Sequence, residues 1–121
     1  MDKLKHAFDV VASYFNVLSE PTRLRIMHAI CEEEKSVSQI VEELGATQTN
    51  VSRHLNMMHR SGVLTRRKEG NQVYYRAADP AMVEICRSVC GRIAAQIDAK
   101  KPLRGELLRL LPKTKGKKRA A

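Results

Sequence analysis

Tryptophan is absent from the 121 residues, and aromatics amount to only 4%, two Phe and three Tyr. Aliphatic side chains must therefore fill the core, which favours packed helices over a large sandwich or barrel. No apolar run approaches the ~18–20 residues of a membrane span. The opening MDKLKHAFDVVASYF sets acids inside what would have to be an uncharged signal core, so a cytoplasmic protein with no membrane partner is expected. Cysteine is scarce. Cys31, Cys86 and Cys90 are odd in number and contain no CxxC pair, which argues against a disulfide framework and leaves them as thiols in a reducing compartment. Catalytic motifs are missing as well: there is no phosphate-cradling Gly loop, no HExxH, no GxSxG and no carboxylate pair in an apolar stretch. Glu32–Glu34 and Glu42-Glu43 read as solvated faces. His6, His28, His54 and His59 lack metal-ligand spacing. Neither an enzyme nor a resident cofactor or metal is expected.

What the chain has in excess is positive charge. Lys and Arg number 22 against 13 Asp and Glu, a net +9. Residues 1–44 carry −3 and residues 79–99 carry −1, whereas residues 45–78 hold six cations against Glu69 alone and residues 100–121 carry +8. Such a basic middle and basic end suit a chain that meets a polyanion. The length is room for one domain. Residues 1–100 are read as a single domain and 101–121 as a basic, partly disordered tail, with KTKGKKRAA at its end.

The hydrophobic pattern predicts a mainly α fold with a β-hairpin wing. Leu4, Phe8, Val11, Phe15 and Leu18 recur at helical spacing, giving a first helix with an apolar seam. Ser19-Glu20-Pro21 breaks it and opens a second helix, capped by Ser19, with Leu24, Met27, Ile30 and Cys31 as its buried face. Ser36 caps a short helix that turns Val37, Ile40, Val41 and Leu44 inward and ends at Gly45. Thr47 caps the next, with Val51, Leu55 and Met58 inward and Gly62 as terminator. Two short helices joined through glycine are a helix-turn-helix signal. Beyond Gly62, residues 63–68 and 72–77 are runs of strand formers separated by Glu69-Gly70-Asn71, a basic hairpin. A last helix starts at Asp79 or Pro80 and carries Met82, Cys86, Val89, Ile93 and Ile97 as a second apolar stripe. Residues 103–111 add a helical turn or two.

A helix entering a major groove needs short hydrogen-bonding groups on one face and an apolar face behind. With Val51, Leu55 and Met58 inward, Gln48, Thr49, Ser52 and Arg53 are base-edge candidates. Asn56 and Arg60 turn outward too, and Asn50 and His54 lie nearer the phosphates. The hairpin offers Arg66, Arg67, Lys68, Asn71 and Gln72 to phosphates or a narrow minor groove. Strand alternation sets Arg66 and Lys68 on one face and Arg67 on the other, so about half of these are expected to reach DNA. Tyr74 and Tyr75 read as sheet packing.

The segments LSEPTRLRIMHAI, SVSQIVEELGATQTNVSRHLNMMHRSGVL and RRKEGNQVYYR resemble the ArsR/SmtB family of bacterial winged-helix repressors, over residues 4–98. The resemblance implies a homodimer, paired through the first and last helices, that occupies an operator in double-stranded DNA until an effector releases it. Leu4, Phe8, Val11, Phe15, Met82, Val89 and Ile93 are the side chains such a dimer would use. The family's cysteine metal site falls on Glu34-Lys35-Ser36-Val37-Ser38-Gln39, which has no cysteine. Its last-helix site falls on Asp79, Ala81, Arg92 and Ala95, which keeps one ligand.

Thiol chemistry is what remains for an effector. On a regular helix Cys86 and Cys90 have Cβ atoms about 6 Å apart, too far for the roughly 3.8 Å of a disulfide. A link from Cys31 to Cys90 or Cys86 resembles the sulfide- and persulfide-responsive branch of the family, which uses one cysteine on each of the second and last helices. In that branch the earlier cysteine falls nearer His28, and Cys86 is extra. The effector expected is therefore a reactive sulfur species or another thiol-reactive agent, with Arg87 and Arg92 expected to favour attack from the last helix. The alternatives are a thiophilic ion such as As(III) or Cu(I) held by all three sulfurs, buried cysteines that only pack, and a winged-helix DNA binder without an effector.

Overall fold

The computed structural model describes residues 2–111. The chain separates into two compact units, the first up to Pro80 and the second from Ala81.

The first unit begins with α1 (Asp2–Val17), whose Leu4, Phe8, Val11 and Phe15 are all more than half exposed. α2 (Pro21–Ile30) starts at Pro21, and its cap is Glu20, whose carboxylate accepts from the Arg23 amide at 3.0 Å. Ser19 was expected to cap here, but its hydroxyl donates to the Asn16 carbonyl at 2.8 Å, closing α1 instead. The buried face of α2 is Ile26, Met27, Ala29 and Ile30, with Leu24 turned out at 43% exposure.

A two-residue strand, β1 (Lys35–Ser36), leads into α3 (Val37–Leu44). Ser36 and Gln39 form a reciprocal capping box: the Gln39 amide donates to Ser36 Oγ and the Ser36 amide to Gln39 Oε1. Gly45 ends α3 at φ 66°, a left-handed conformation that glycine adopts without a Cβ clash, and its amide donates to the Val41 carbonyl. α4 (Gln48–Arg60) follows three residues after α3, with Thr47 Oγ1 accepting from the Asn50 backbone amide.

β2 (Leu64–Glu69) and β3 (Gln72–Ala77) pair antiparallel from Leu64↔Ala77 to Glu69↔Gln72. The two-residue turn has Gly70 first, at φ 62°, as tight hairpins require. β1 adds to the far edge of β3 through Lys35↔Tyr75 and Ser36↔Tyr74, so the sheet order is β1-β3-β2. The core of this unit is aliphatic: Ile26, Ile30, Ile40, Val51, Leu55, Met58 and Leu64 are essentially sealed from solvent.

The second unit contains α5 (Pro80–Gln96), all but its first residue, and α6 (Pro102–Arg109), joined where Arg104 Nε donates to the Ala94 carbonyl at 3.0 Å. Val89 and Ile93 are exposed, whereas Met82, grouped with them in the sequence reading, is 3% exposed and has little surface to offer another chain. No helix among the described residues is long and apolar enough to cross a membrane. The end of the basic tail lies outside the described residues.

Candidate nucleic-acid interface

α4 is anchored from behind. Val51, Leu55 and Met58 have no exposed surface, which fixes the rotation of the helix and turns Gln48, Thr49, Arg53, Asn56 and Arg60 to solvent, with Asn50 and Ser52 half-buried beside them. Arg53 Nη2 donates to Asn50 Oδ1 at 2.6 Å.

His54 departs from its expected place near the phosphates. It is 6% exposed, with Nδ1 3.5 Å from Arg23 Nη1 and Nε2 3.9 Å from Glu20 Oε1. Arg23 also donates to the carbonyls of Val17 (2.5 Å) and Asn16 (3.2 Å), joining the end of α1 to the start of α2. The spacing held the signal: His54 lies three residues after Val51 and four before Met58, on the apolar stripe itself.

The hairpin divides its cations between two faces, as strand alternation requires. Arg66 and Lys68 lie opposite Tyr75 and Val73, and Arg66 Nη1 donates to the Tyr75 hydroxyl at 3.4 Å. Arg67 faces the other way and is engaged within the protein. It donates to both oxygens of Glu34 (Nη2–Oε2 2.5 Å) and to Glu69 (2.5 Å), and lies 4.6 Å over the Tyr74 ring. Its hydrogen bonds to the two carboxylates hold its own proton more tightly, and the same contact holds Glu34 below the usual carboxylate range. Arg67 is thus a staple between the wing and the connector that follows α2, where the sequence reading offered it to DNA. Asn71 and Gln72 are exposed at the tip.

Between α4 and this wing lies an open cleft of about 590 Å³. Ser52 and Asn56 contribute from the helix, Arg66, Arg67 and Lys68 from the hairpin, Val37, Leu55, Val73 and Tyr75 also line it, and no carboxylate belongs to the lining. Asn56 was recognised only as outward-facing, and the cleft gives it cationic neighbours. On DNA, removing Arg66 and Lys68 together is expected to lower the slope of log affinity against log salt by about 1.8, because each phosphate contact contributes ~0.9. Arg67→Ala should leave that slope nearly unchanged while loosening the wing. Titrations at several salt concentrations check both.

The thiols sit elsewhere. Cys31 follows α2 and its Sγ donates to the His28 carbonyl at 3.2 Å. Cys86 and Cys90 are half-buried on α5. Burial pushes both above the ordinary thiol range, and Cys86 is raised further by the charge that Cys90 would carry. This is opposite to the activation expected from Arg87 and Arg92. Arg87 is 3.3 Å from Glu84, so its charge is partly neutralised, and desolvation dominates. Alkylation of Cys86 and Cys90 is expected to be slower near neutral pH than that of an ordinary cysteine, and to recover in denaturant; mass spectrometry of timed samples reads this. Among the described residues, no three His, Cys, Asp or Glu side chains gather into a metal-ligating group.

Residues 20–66, from the cap of α2 into β2, match the model of the bacterial regulatory protein, arsR family. The uncharacterized HTH-type transcriptional regulator Rv0081 of Mycobacterium tuberculosis is 30% identical over 90 residues, covering 71% of this chain and 79% of the relative. A probable mercury resistance operon repressor of Streptomyces lividans is 31% identical over 101 residues, covering 81% of each. Among solved structures, that of M. tuberculosis Rv0081 superposes with a TM-score of 0.67 at 28% identity, over 74% of this chain and 94% of that one. Reduced HlyU from Vibrio cholerae superposes at 0.66 over 74% and 97% of the two chains, and at 23% identity it bears on the fold alone. Capped helix-turn-helix, cationic wing and these likenesses agree: the chain belongs to the arsR family, as a winged-helix transcriptional regulator of the ArsR/SmtB type.

Proposed function

We propose that the protein is a homodimeric repressor that occupies a pseudo-palindromic operator and leaves it when its cysteine thiols are modified by reactive sulfur species or oxidants. The observation that carries the DNA-binding part is the exposed polar face of α4, flanked across the cleft by Arg66 and Lys68 with no carboxylate between. Gln48, Thr49, Ser52 and Arg53 meet base edges, and Arg66, Lys68, Asn71 and Gln72 meet the backbone or minor groove. Residues 1–100 serve DNA binding and dimerisation, and the basic residues of 101–121 add affinity without sequence preference. The uncovered stripe of Leu4, Phe8, Val11 and Phe15, with Val89 and Ile93, supports pairing of two copies.

The thiol step is a sulfur transfer. A cysteine thiolate attacks a sulfane sulfur of a polysulfide, the S–S bond breaks, and the shortened polysulfide leaves with the electron pair. A second cysteine thiolate then displaces hydrosulfide from the persulfide and forms the bridge, the polysulfide being the oxidant. A tenfold loss of operator affinity needs ~1.4 kcal/mol of bias against the DNA-bound form. With Cys86 and Cys90 raised by burial, an attack that begins on α5 speeds up with pH as the thiolate fraction grows. The S. lividans relative, named for mercury resistance, favours a second reading in which the effector is a soft thiophilic ion.

Operator binding by the parent, Cys31→Ser and Cys90→Ser, with and without polysulfide and with Hg(II) in parallel, tests both. Release of the parent by polysulfide that either substitution abolishes is the expected result. Release that survives both substitutions overturns the thiol switch, and release by Hg(II) alone selects the second reading.

A further inference from the structure

We propose that Asn50 is a positioning residue that sets how Arg53 meets a base, and that it neither reads a base itself nor grips a phosphate. The proposal rests on the assignment of α4 to the major groove. Three features of the helix lead to it. Asn50 and Arg53 are three residues apart and therefore neighbours on one helical face. Arg53 is exposed on a long side chain, whereas Asn50 is half-buried on a short one whose backbone N–H donates to the Thr47 cap, so of the two it is the better-fixed partner. The bond between them, Nη2 to Oδ1 at 2.6 Å, is short and charge-assisted.

This bond has two consequences for recognition. An asparagine reads adenine through its carbonyl oxygen and amide nitrogen together, and here the oxygen is engaged by Arg53. Arginine has five N–H donors in a planar fork, so surrendering one hydrogen of Nη2 still leaves a whole two-donor edge, the edge that guanine O6 and N7 accept. Asn50 thereby restricts a long, solvent-exposed side chain to orientations from which that edge points away from the helix. Part of the ordering is done before DNA arrives.

The full-length chain and its Asn50→Ala, Asn50→Asp, Arg53→Ala and Asn50→Ala/Arg53→Ala variants are titrated against one duplex enriched by the parent from a random pool. They are also titrated against versions of that duplex changed one base pair at a time. Arg53→Ala should lose about fivefold to a hundredfold of the preference at one base pair, the range of a bidentate contact. Asn50→Ala should lose about three- to tenfold at that same base pair, the share that goes with ordering one long side chain. It should leave preferences elsewhere and binding to an unrelated duplex unchanged, and the double variant should be no worse than Arg53→Ala. Asn50→Asp keeps an oxygen toward Arg53 and should retain the preference while weakening binding to every duplex. Alanine favours helix more than asparagine, so loss of folding does not stand in for these effects. If Asn50→Ala keeps the preference, or weakens all duplexes alike as a lost phosphate contact would, the proposal is overturned while Arg53 stands. If Arg53→Ala itself changes no preference, the assignment of α4 fails and carries the proposal with it.

Discussion

Leu55→Ala is expected to cost about 2–5 kcal/mol, the range for emptying a buried leucine site that collapses only in part. Leu55 has no exposed surface, lies between Val51 and Met58 on the anchored side of α4, and lines the cleft floor beneath the wing. A small domain has ~5–15 kcal/mol to lose, so this one truncation takes a large fraction of it. Asn56→Ala, one residue further and exposed, should change stability by no more than about 0.5 kcal/mol. Urea unfolding of the three chains checks the pair: the midpoint of Leu55→Ala should fall with its slope unchanged, and that of Asn56→Ala should barely move. Equal midpoints would mean that α4 is not held by its apolar stripe, and the orientation of its polar face would lose its physical basis.

The second large effect is on selectivity. Arg53→Ala and Gln48→Ala should each cost about 1–3 kcal/mol of discrimination if each makes a good bidentate contact with a base. Neither should unfold the protein, because both side chains are exposed and Asn50 Oδ1 is the partner Arg53 leaves behind. The loss should appear on the preferred duplex and be small on unrelated DNA. Gln48 is uncharged and should leave the salt slope alone, whereas Arg53 alters it only to the extent that it also meets a phosphate. Affinity that fell equally on all sequences would assign both residues to the backbone.

Local chemistry made much of this fold legible. Ser36, Thr47, Gly45 and the Gly70 turn each perform the backbone task that their residue type and position imply, because caps and tight turns are decided within a few residues. β1 escaped notice since a two-residue strand has no periodicity to detect; it exists because Lys35 and Ser36 meet the far edge of β3. His54 and Arg67 have partners that residue type alone does not announce. Residue type suggested solvent or phosphate for both, but His54 falls on the buried stripe beside Arg23 and Glu20, and Arg67 finds Glu34, 33 residues away in sequence. Partners that distant are set by tertiary packing. The cap of α2 shows the competition at close range: Ser19 and Glu20 both suit the position, and Ser19 is occupied by the Asn16 carbonyl.

Selection from a pool of random DNA duplexes, followed by titration of the enriched and unselected sequences with the full-length chain, tests the central claim most directly. If the polar face of α4 reads bases while Arg66 and Lys68 hold the backbone, a defined motif should emerge. For a symmetric pair of chains it should be an inverted repeat with half-sites a whole number of helical turns apart. It should bind about a thousandfold or more tighter than unselected DNA at physiological salt. If no sequence is enriched and every duplex binds alike, the chain meets DNA through charge alone, and sequence reading by α4 is contradicted.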